Sequence, residues 1–298
     1  MNALENTLEQ KLALSSPSRP PAEVSADGAA ADVTGKAKAA VWTQYRRFWL
    51  SSISLLTLLG GWWALSHSGV VPPLFLPAPE AVLAKLIAVS TQGFMDATLW
   101  QHLAASLQRI VLALLAAVLL GIPLGVLMGV SPVARGLLDP LIEAYRPVPP
   151  LAYLPLIVIW FGIGELSKVL LIFLAVLAPV VIATSHGVAQ VSRNRLRAAQ
   201  TLGASHSQLL CFVILPEALP EILTGIRIGL GTGWSTLVAA ELVAATRGLG
   251  FMVQSAAQFL VTDVVILGIA VIAVIAFALE LGLRLLQRRL APWHGQLD

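Results

Sequence analysis

Charge is what this sequence has least of. Asp, Glu, Lys and Arg make up 12% of its 298 residues, against about 25% in an ordinary soluble domain. Hydrophobic residues make up 57% and the mean hydropathy is +0.82, so the chain reads as an integral membrane protein. The net charge of +3 is too small to argue for nucleic acid as a partner. There is one cysteine, Cys211, which excludes an intramolecular disulfide framework and reads as a small apolar side chain. No Gly-x4-Gly-Lys-Ser/Thr loop is present, so the chain does not cradle nucleotide phosphates in the usual way. No His-Glu-x2-His helix is present, and the run GWSTL at Gly233 lacks the second glycine of a nucleophile elbow. The histidines, His67, His102, His186, His206 and His294, are scattered rather than set at ligand spacing. Neither a catalytic centre, a metal site nor a cofactor of the chain's own is expected.

What is there is a series of long apolar runs. Residues 1–45 are polar and rich in Ala, Ser and Pro, and read as a disordered tail; residues 46–298 read as the membrane domain. The first span is expected over Phe48–Leu65, an uncleaved anchor preceded by Arg46 and Arg47 and carrying Trp62 and Trp63 near its exit. An amphipathic helix follows over Pro79–Val89. The second span begins at Leu103, and Ile110–Val130 carries no charge over about a bilayer's thickness. Ser131–Gly136 reads as a short turn. The third span, Leu137–Phe161, holds Glu143, Tyr145, Arg146, Pro147, Pro149, Pro150 and Pro155. Broken backbone of that kind is tolerated at membrane depth only inside protein or beside a water-filled cavity. The fourth span is expected over Lys168–Ser185, the fifth over Ile222–Ala245 and the sixth over Val264–Leu283, with an outer loop at Thr246–Phe259. Six spans with both ends inside put Arg46, Arg47, Arg135, Arg193, Arg195, Arg197, Arg284, Arg288 and Arg289 on the cytoplasmic side, leaving Lys85, Lys168 and Arg247 outside, as the positive-inside rule demands. The expected fold is an all-α polytopic bundle of six transmembrane helices.

Glu143, Arg146, Arg227 and Glu241 are costly facing lipid and are expected to face protein or a pathway; Glu143 and Arg146, one helical turn apart, can also pair with each other. Arg146, Trp234, Ser235 and Glu241 are the candidates for lining a translocation pathway, with packing as the alternative for Trp234 and Ser235. Gly121, Gly125 and Gly129 in the second span, and Gly225, Gly229 and Gly233 in the fifth, recur every four residues. Such small-residue stripes let another helix approach closely.

Between the fourth and fifth spans, about residues 187–222, lies an amphipathic segment built to meet another protein. A short helix is expected over Arg195–Leu202, stopped by Gly203 in a left-handed conformation. A second begins at Ser205, with Gln208 completing a capping box, and Pro216 and Pro220 are expected to punctuate its far end. Arg197-Ala198-Ala199, three residues, Gly203, nine residues, then Val213-x-Leu215-Pro216 resembles the Glu-Ala-Ala loop of ABC-importer permeases, with Arg197 in place of the glutamate and Val213 in place of an isoleucine. Within that family, GFMDATLWQHLAASLQRI (Gly93–Ile110), YRPVPPLAYLPL (Tyr145–Leu156) and GWSTLVAAELVAATRGLGFMVQSA (Gly233–Ala256) are similar to the nitrate, sulfonate and taurine branch. The resemblance implies a type I importer permease fold and a bacterial inner-membrane location. It implies that two copies of the chain surround a central path, with two ATPase subunits beneath to bind the ATP and a periplasmic binding protein above. It also implies that the loop is a coupling helix that docks on the ATPase. A taurine importer is expected, with an aliphatic sulfonate or nitrate importer as the alternative. A secondary transporter, which needs no ATPase, and a membrane-embedded enzyme are the competing classes.

Overall fold

The computed structural model describes residue 46, residues 49–50 and residues 52–292. The expected tail lies outside the described residues, as do Arg47 and Phe48 at the start of the first span. The chain divides into two units, Met1–Ala64 and Leu65–Asp298. The described part of the first unit is helical; helix α1 covers residues 52–67.

In the second unit α2 is Pro79–Thr91, opened by a proline near its first turn, where no intrahelical N–H is needed, and by Glu80, which suits the positive end of the helix. Helix α3, Leu99–Val130, starts four residues ahead of the expected Leu103. Thr98 and Gln101 form a reciprocal capping box there, which satisfies two N–H groups that a helix start leaves open. The expected turn at Ser131–Gly136 contracts to one residue. The Ser131 hydroxyl accepts from Ala134 N–H and Pro132 begins α4, Pro132–Tyr145, so the chain changes direction without losing its hydrogen bonds.

The expected third span is not one helix. After α4 the chain is irregular to a short 3-10 turn, Pro150–Tyr153, and α5 covers only Leu154–Phe161. Pro147, Pro149 and Pro150 remove three N–H donors. Arg146 keeps helical angles before Pro147, whereas Pro149 is extended, at ψ 131°, before Pro150. No ion pair links Glu143 to Arg146 among the described residues, and both are exposed. Helix α6 is Glu165–Ala189 and continues through Pro179. Next come α7, Arg193–Thr201, and α8, His206–Leu209. A π-helical turn, Leu210–Ile214, leads without a break into α9, Leu215–Ala244. Pro216 and Pro220 therefore do not end a helix, contrary to expectation. Pro216 sits in the first turn of α9, and the wider π turn just before it absorbs the position where a proline has no N–H to give.

The expected outer loop at Thr246–Phe259 is mostly helix: α10 covers Leu249–Gln258. Leu249, Met252 and Ala256 are buried, and their spacing of three and four residues sets them on one helical face. Helix α11, Thr262–Leu290, completes the bundle. Among the described residues four helical stretches are long and apolar enough to cross a membrane: Leu99–Val130, Glu165–Ala189, His206–Val243 and Thr262–Leu290.

Helix α6 is the hub, packed between α3 and α9. Both glycine stripes face it. A Cβ on Gly121 would lie 3.0 Å from Val180, and one on Gly125 would lie 2.5 Å from Thr184 Cβ and 2.7 Å from the Val181 carbonyl; Gly129 meets Val188. From the other side, a Cβ on Gly225 would lie 2.5 Å from Ala183, one on Gly229 3.0 Å from Val176 and one on Gly233 2.6 Å from Val176. Between membrane helices water supplies little hydrophobic drive, so this close backbone approach is what association rests on.

Candidate functional site

Three places in the bundle carry more chemistry than packing requires. The first is the knob between α6 and α9. Helix α7 ends in Gly203 at φ +84°. Gly203 N–H donates to Gln200 O at 2.9 Å and Ala204 N–H to Ala199 O at 3.1 Å, the two bonds of a Schellman closure. Two residues on, Ser205 and Gln208 cap α8 reciprocally. The corner between the two short helices is thus held by the two Schellman bonds and the capping box, and Leu209 of α8 is buried. Arg197 and Ala198 are exposed and Ala199 is half-buried, while Leu202 is 88% and Phe212 77% exposed. Val213 and Leu215 are half-buried where the π turn meets α9, and Pro216 is exposed. Sequence reasoning missed the fastening of this knob. Glu217 accepts from Ser192 N–H at 3.2 Å and pairs with Arg195 at 3.3 Å, tying the entrance of α7 to the first turn of α9.

The second place is an ionic cluster at the end of the bundle where α9 leads into α10, with Arg109, Lys168 and Glu241 buried and Glu165 exposed. The Arg109 guanidinium donates from Nε and Nη2 to both oxygens of Glu165, at 2.6 and 2.8 Å. Its Nη1 reaches Glu241 Oε1 at 2.6 Å and the Arg247 carbonyl at 2.7 Å. Lys168 donates to Glu165 at 2.8 Å. Glu241 also accepts from Ser106 Oγ at 2.8 Å and from Gly250 N–H at 2.9 Å, and Ser106 Oγ accepts from Leu249 N–H. His102 accepts from Gly248 N–H at its Nδ1, so its Nε2 carries the proton donated to Phe94 O. Two cations and two carboxylates balance, and the first N–H groups of α10 find acceptors on α3 and α9. Arg109 lies just ahead of the charge-free run on α3. The signal for it was the stripe His102, Ser106, Arg109, Ala113, Ala117, Gly121, Gly125, with steps of three or four residues that lay all seven along one face.

The third place is a cavity of about 500 Å³ between the broken segment after α4, α6 and α9. Arg146 and Ser235 both line it, with Tyr145, Tyr153, Thr232 and Thr236. The other two pathway candidates lie elsewhere: Trp234 is 7% exposed, and Glu241 is bound into the ionic cluster. Arg227 pairs with Glu280 of α11 at 3.8 Å. Among the described residues no three His, Cys, Asp or Glu side chains converge to hold a metal.

Comparison with known proteins points one way. A family profile described as "binding-protein-dependent transport system inner membrane component" matches residues 121–292. The taurine transport system permease protein TauC of Escherichia coli is 68% identical over 258 residues, 86% of this chain and 94% of that protein. The putative aliphatic sulfonates transport permease protein SsuC of the same organism is 36% identical over 233 residues, 78% of this chain and 87% of that one. Among solved structures, an inward-facing form of the MetNI methionine ABC transporter superposes with a TM-score of 0.58 at 18% identity. It covers 66% of this chain and 99% of that one, a likeness of fold alone.

Proposed function

The chain belongs to the family of binding-protein-dependent transport system inner membrane components, and on that premise we propose that it is the permease subunit through which an ATP-driven importer carries taurine across the inner membrane. The observation that carries the substrate is the 68% identity to a taurine permease along nearly the whole of that protein. Two copies of the chain form the path. Two ATPase subunits bind and hydrolyse the ATP, and a periplasmic binding protein delivers the ligand. The knob of α7 and α8 is the coupling element. Arg197, Ala198, Ala199, Gly203, Val213, Leu215 and Pro216 belong to the surface that meets the ATPase and to the corner that stiffens it. Its support is mechanical: a corner closed by backbone bonds, with Leu202 and Phe212 exposed on it, transmits a push to α6 and α9 instead of yielding. The glycine stripes let α3 and α9 stay in close contact with α6 while the bundle shifts. The pathway role attaches to Arg146 and Ser235.

The test is uptake of labelled taurine in cells without their own sulfonate importers, co-expressing the chain with its ATPase and binding protein. Uptake is expected to vanish with a hydrolysis-dead ATPase and to be competed by taurine better than by longer alkanesulfonates. Uptake of another sulfonate or of nitrate instead would move the substrate and keep the class. Uptake indifferent to the dead ATPase would overturn the class in favour of a secondary transporter. Gly203→Pro should insert normally and lose uptake. Proline holds φ near −65°, and Gly203 sits at +84° and donates an N–H that proline lacks.

A further inference from the structure

The cavity beside Arg146 sorts its polar groups by sign. Four of its lining hydroxyls spend their protons on backbone carbonyls. Thr232 donates to Gly229 O at 3.0 Å, Thr236 to Thr232 O at 2.8 Å, Ser235 to Gly231 O at 3.2 Å and Tyr145 to Leu174 O at 3.3 Å. Back-bonding of this kind is the habit of Ser and Thr inside helices. What such a hydroxyl has left for a ligand is its lone pairs, and a hydroxyl that is already donating is the better acceptor for it. The hydroxyls of the α9 wall, which Ile228 and Gly231 also line, therefore face a ligand as acceptors. The opposite sign comes from the broken segment. Arg146 lines the cavity, and none of the ion pairs among the described residues uses it. Tyr153 is the one lining hydroxyl without a partner, so its proton is unspent. No Asp or Glu lines the cavity.

Depth makes these groups matter. Thr232 lies 12 residues before Ala244, the end of α9, about 18 Å along the axis. Thr232 thus lies well inside the apolar stretch that ends at Val243, which is long enough to cross a hydrocarbon core about 30 Å thick, and a charged ligand there needs partners of the protein's own.

We propose that this cavity is a zwitterion-selective subsite, in which Arg146 holds the anionic head of a short aminosulfonate and the carbonyl-tethered hydroxyls of Thr232 and Ser235 receive its ammonium. The permease then discriminates against sulfonates without an amine, independently of any choice made by a binding protein. Thr232 and Ser235 are exposed at the cavity and Thr236 is buried. An uncharged alkyl end lying against Thr232 and Ser235 offers no N–H to their lone pairs, whereas an ammonium does, and a site that hydrogen-bonds one ligand disfavours the analogue lacking that group. The inference rests on the reading of the chain as a taurine permease and deepens it.

The experiment uses the purified permease–ATPase complex in nanodiscs without binding protein, and measures binding of taurine, ethanesulfonate and ethylamine. Taurine is expected to bind at least about tenfold more tightly than either half-molecule. Arg146→Gln should weaken taurine and ethanesulfonate alike, by about tenfold or more. The double variant Thr232→Val/Ser235→Ala should bring taurine to within about twofold of ethanesulfonate, while Thr232→Ser, which keeps the acceptor, should keep the preference. The ratio between ligands, rather than the absolute affinity, separates a ligand-contacting role from a folding defect. Equal binding of taurine and ethanesulfonate by the wild type, or no taurine binding at all, overturns the inference. Whole-cell taurine uptake run in parallel keeps the two ideas apart. Uptake without a preference in the purified complex sinks the subsite and spares the substrate assignment, whereas preference for the zwitterion without taurine uptake does the reverse.

Discussion

At Arg109 one guanidinium satisfies two carboxylates and a backbone carbonyl. Glu241 is buried with it, so the pair is held by geometry rather than by solvent. Removing one member of such a pair leaves a buried charge uncompensated and costs about 3–5 kcal/mol, whereas replacing both by apolar groups is far milder. Arg109→Met should therefore lower the thermal midpoint of the purified protein sharply. Arg109→Met/Glu241→Leu should recover part of the loss, though not all, because Glu241 also accepts from Gly250 N–H. A thermal melt of both variants checks this; an unchanged midpoint in Arg109→Met would remove the cluster's structural role. That Glu241 must find company inside protein was legible from its position in an apolar run. That its partner is Arg109, 132 residues away in the chain, was not, because hydropathy ranks segments and says nothing of which faces meet.

At the scale of the helix, the glycine stripes set how near α3 and α9 come to α6. Gly125 is the tightest test, because its added Cβ would meet the Val181 carbonyl at 2.7 Å, and a backbone atom cannot turn away as a side chain can. Gly125→Ala should cost about 1–3 kcal/mol through overpacking. Gly136→Ala, where a Cβ meets nothing within 4 Å, should be neutral or slightly favourable in helix α4. The amount of folded protein recovered from membranes, compared for the two variants, measures the difference; equal yields would mean that α3 and α6 are not held at this spacing. The stripes were legible from their four-residue step, as was the Gly203 corner from the Ser-x-x-Gln box behind it. Helix α10 was not: a ten-residue segment is too short for a span, so hydropathy left it as a loop. What makes it helical is the burial of Leu249, Met252 and Ala256, with Ser106 and Glu241 accepting from its first N–H groups.

For the molecule as a whole, the arrangement of arginines argues that the knob lies inside the cell. Cys211 gives a direct reading of this. It is the chain's one cysteine, it is exposed, and it sits in the π turn between the knob and α9. A membrane-impermeant maleimide should label it in inside-out vesicles and not in intact cells, and bound ATPase should slow the labelling. Labelling from the outside would invert the topology. By itself the sequence determined the membrane class, most of the spans, the broken third segment and the knob. These depend on quantities local to the chain, namely apolar length, proline placement and capping residues, and local interactions are set within a few residues. The tertiary structure decided that α6 is the hub, that Arg109 closes on Glu165 and Glu241, that Arg146 and Ser235 share a cavity while Trp234 and Glu241 lie outside it, and which way the hydroxyl protons of that cavity are spent. Each of these joins residues far apart in the chain, and such partners are chosen by packing in three dimensions, where a stripe of the right spacing can face any of several neighbours until the whole bundle closes.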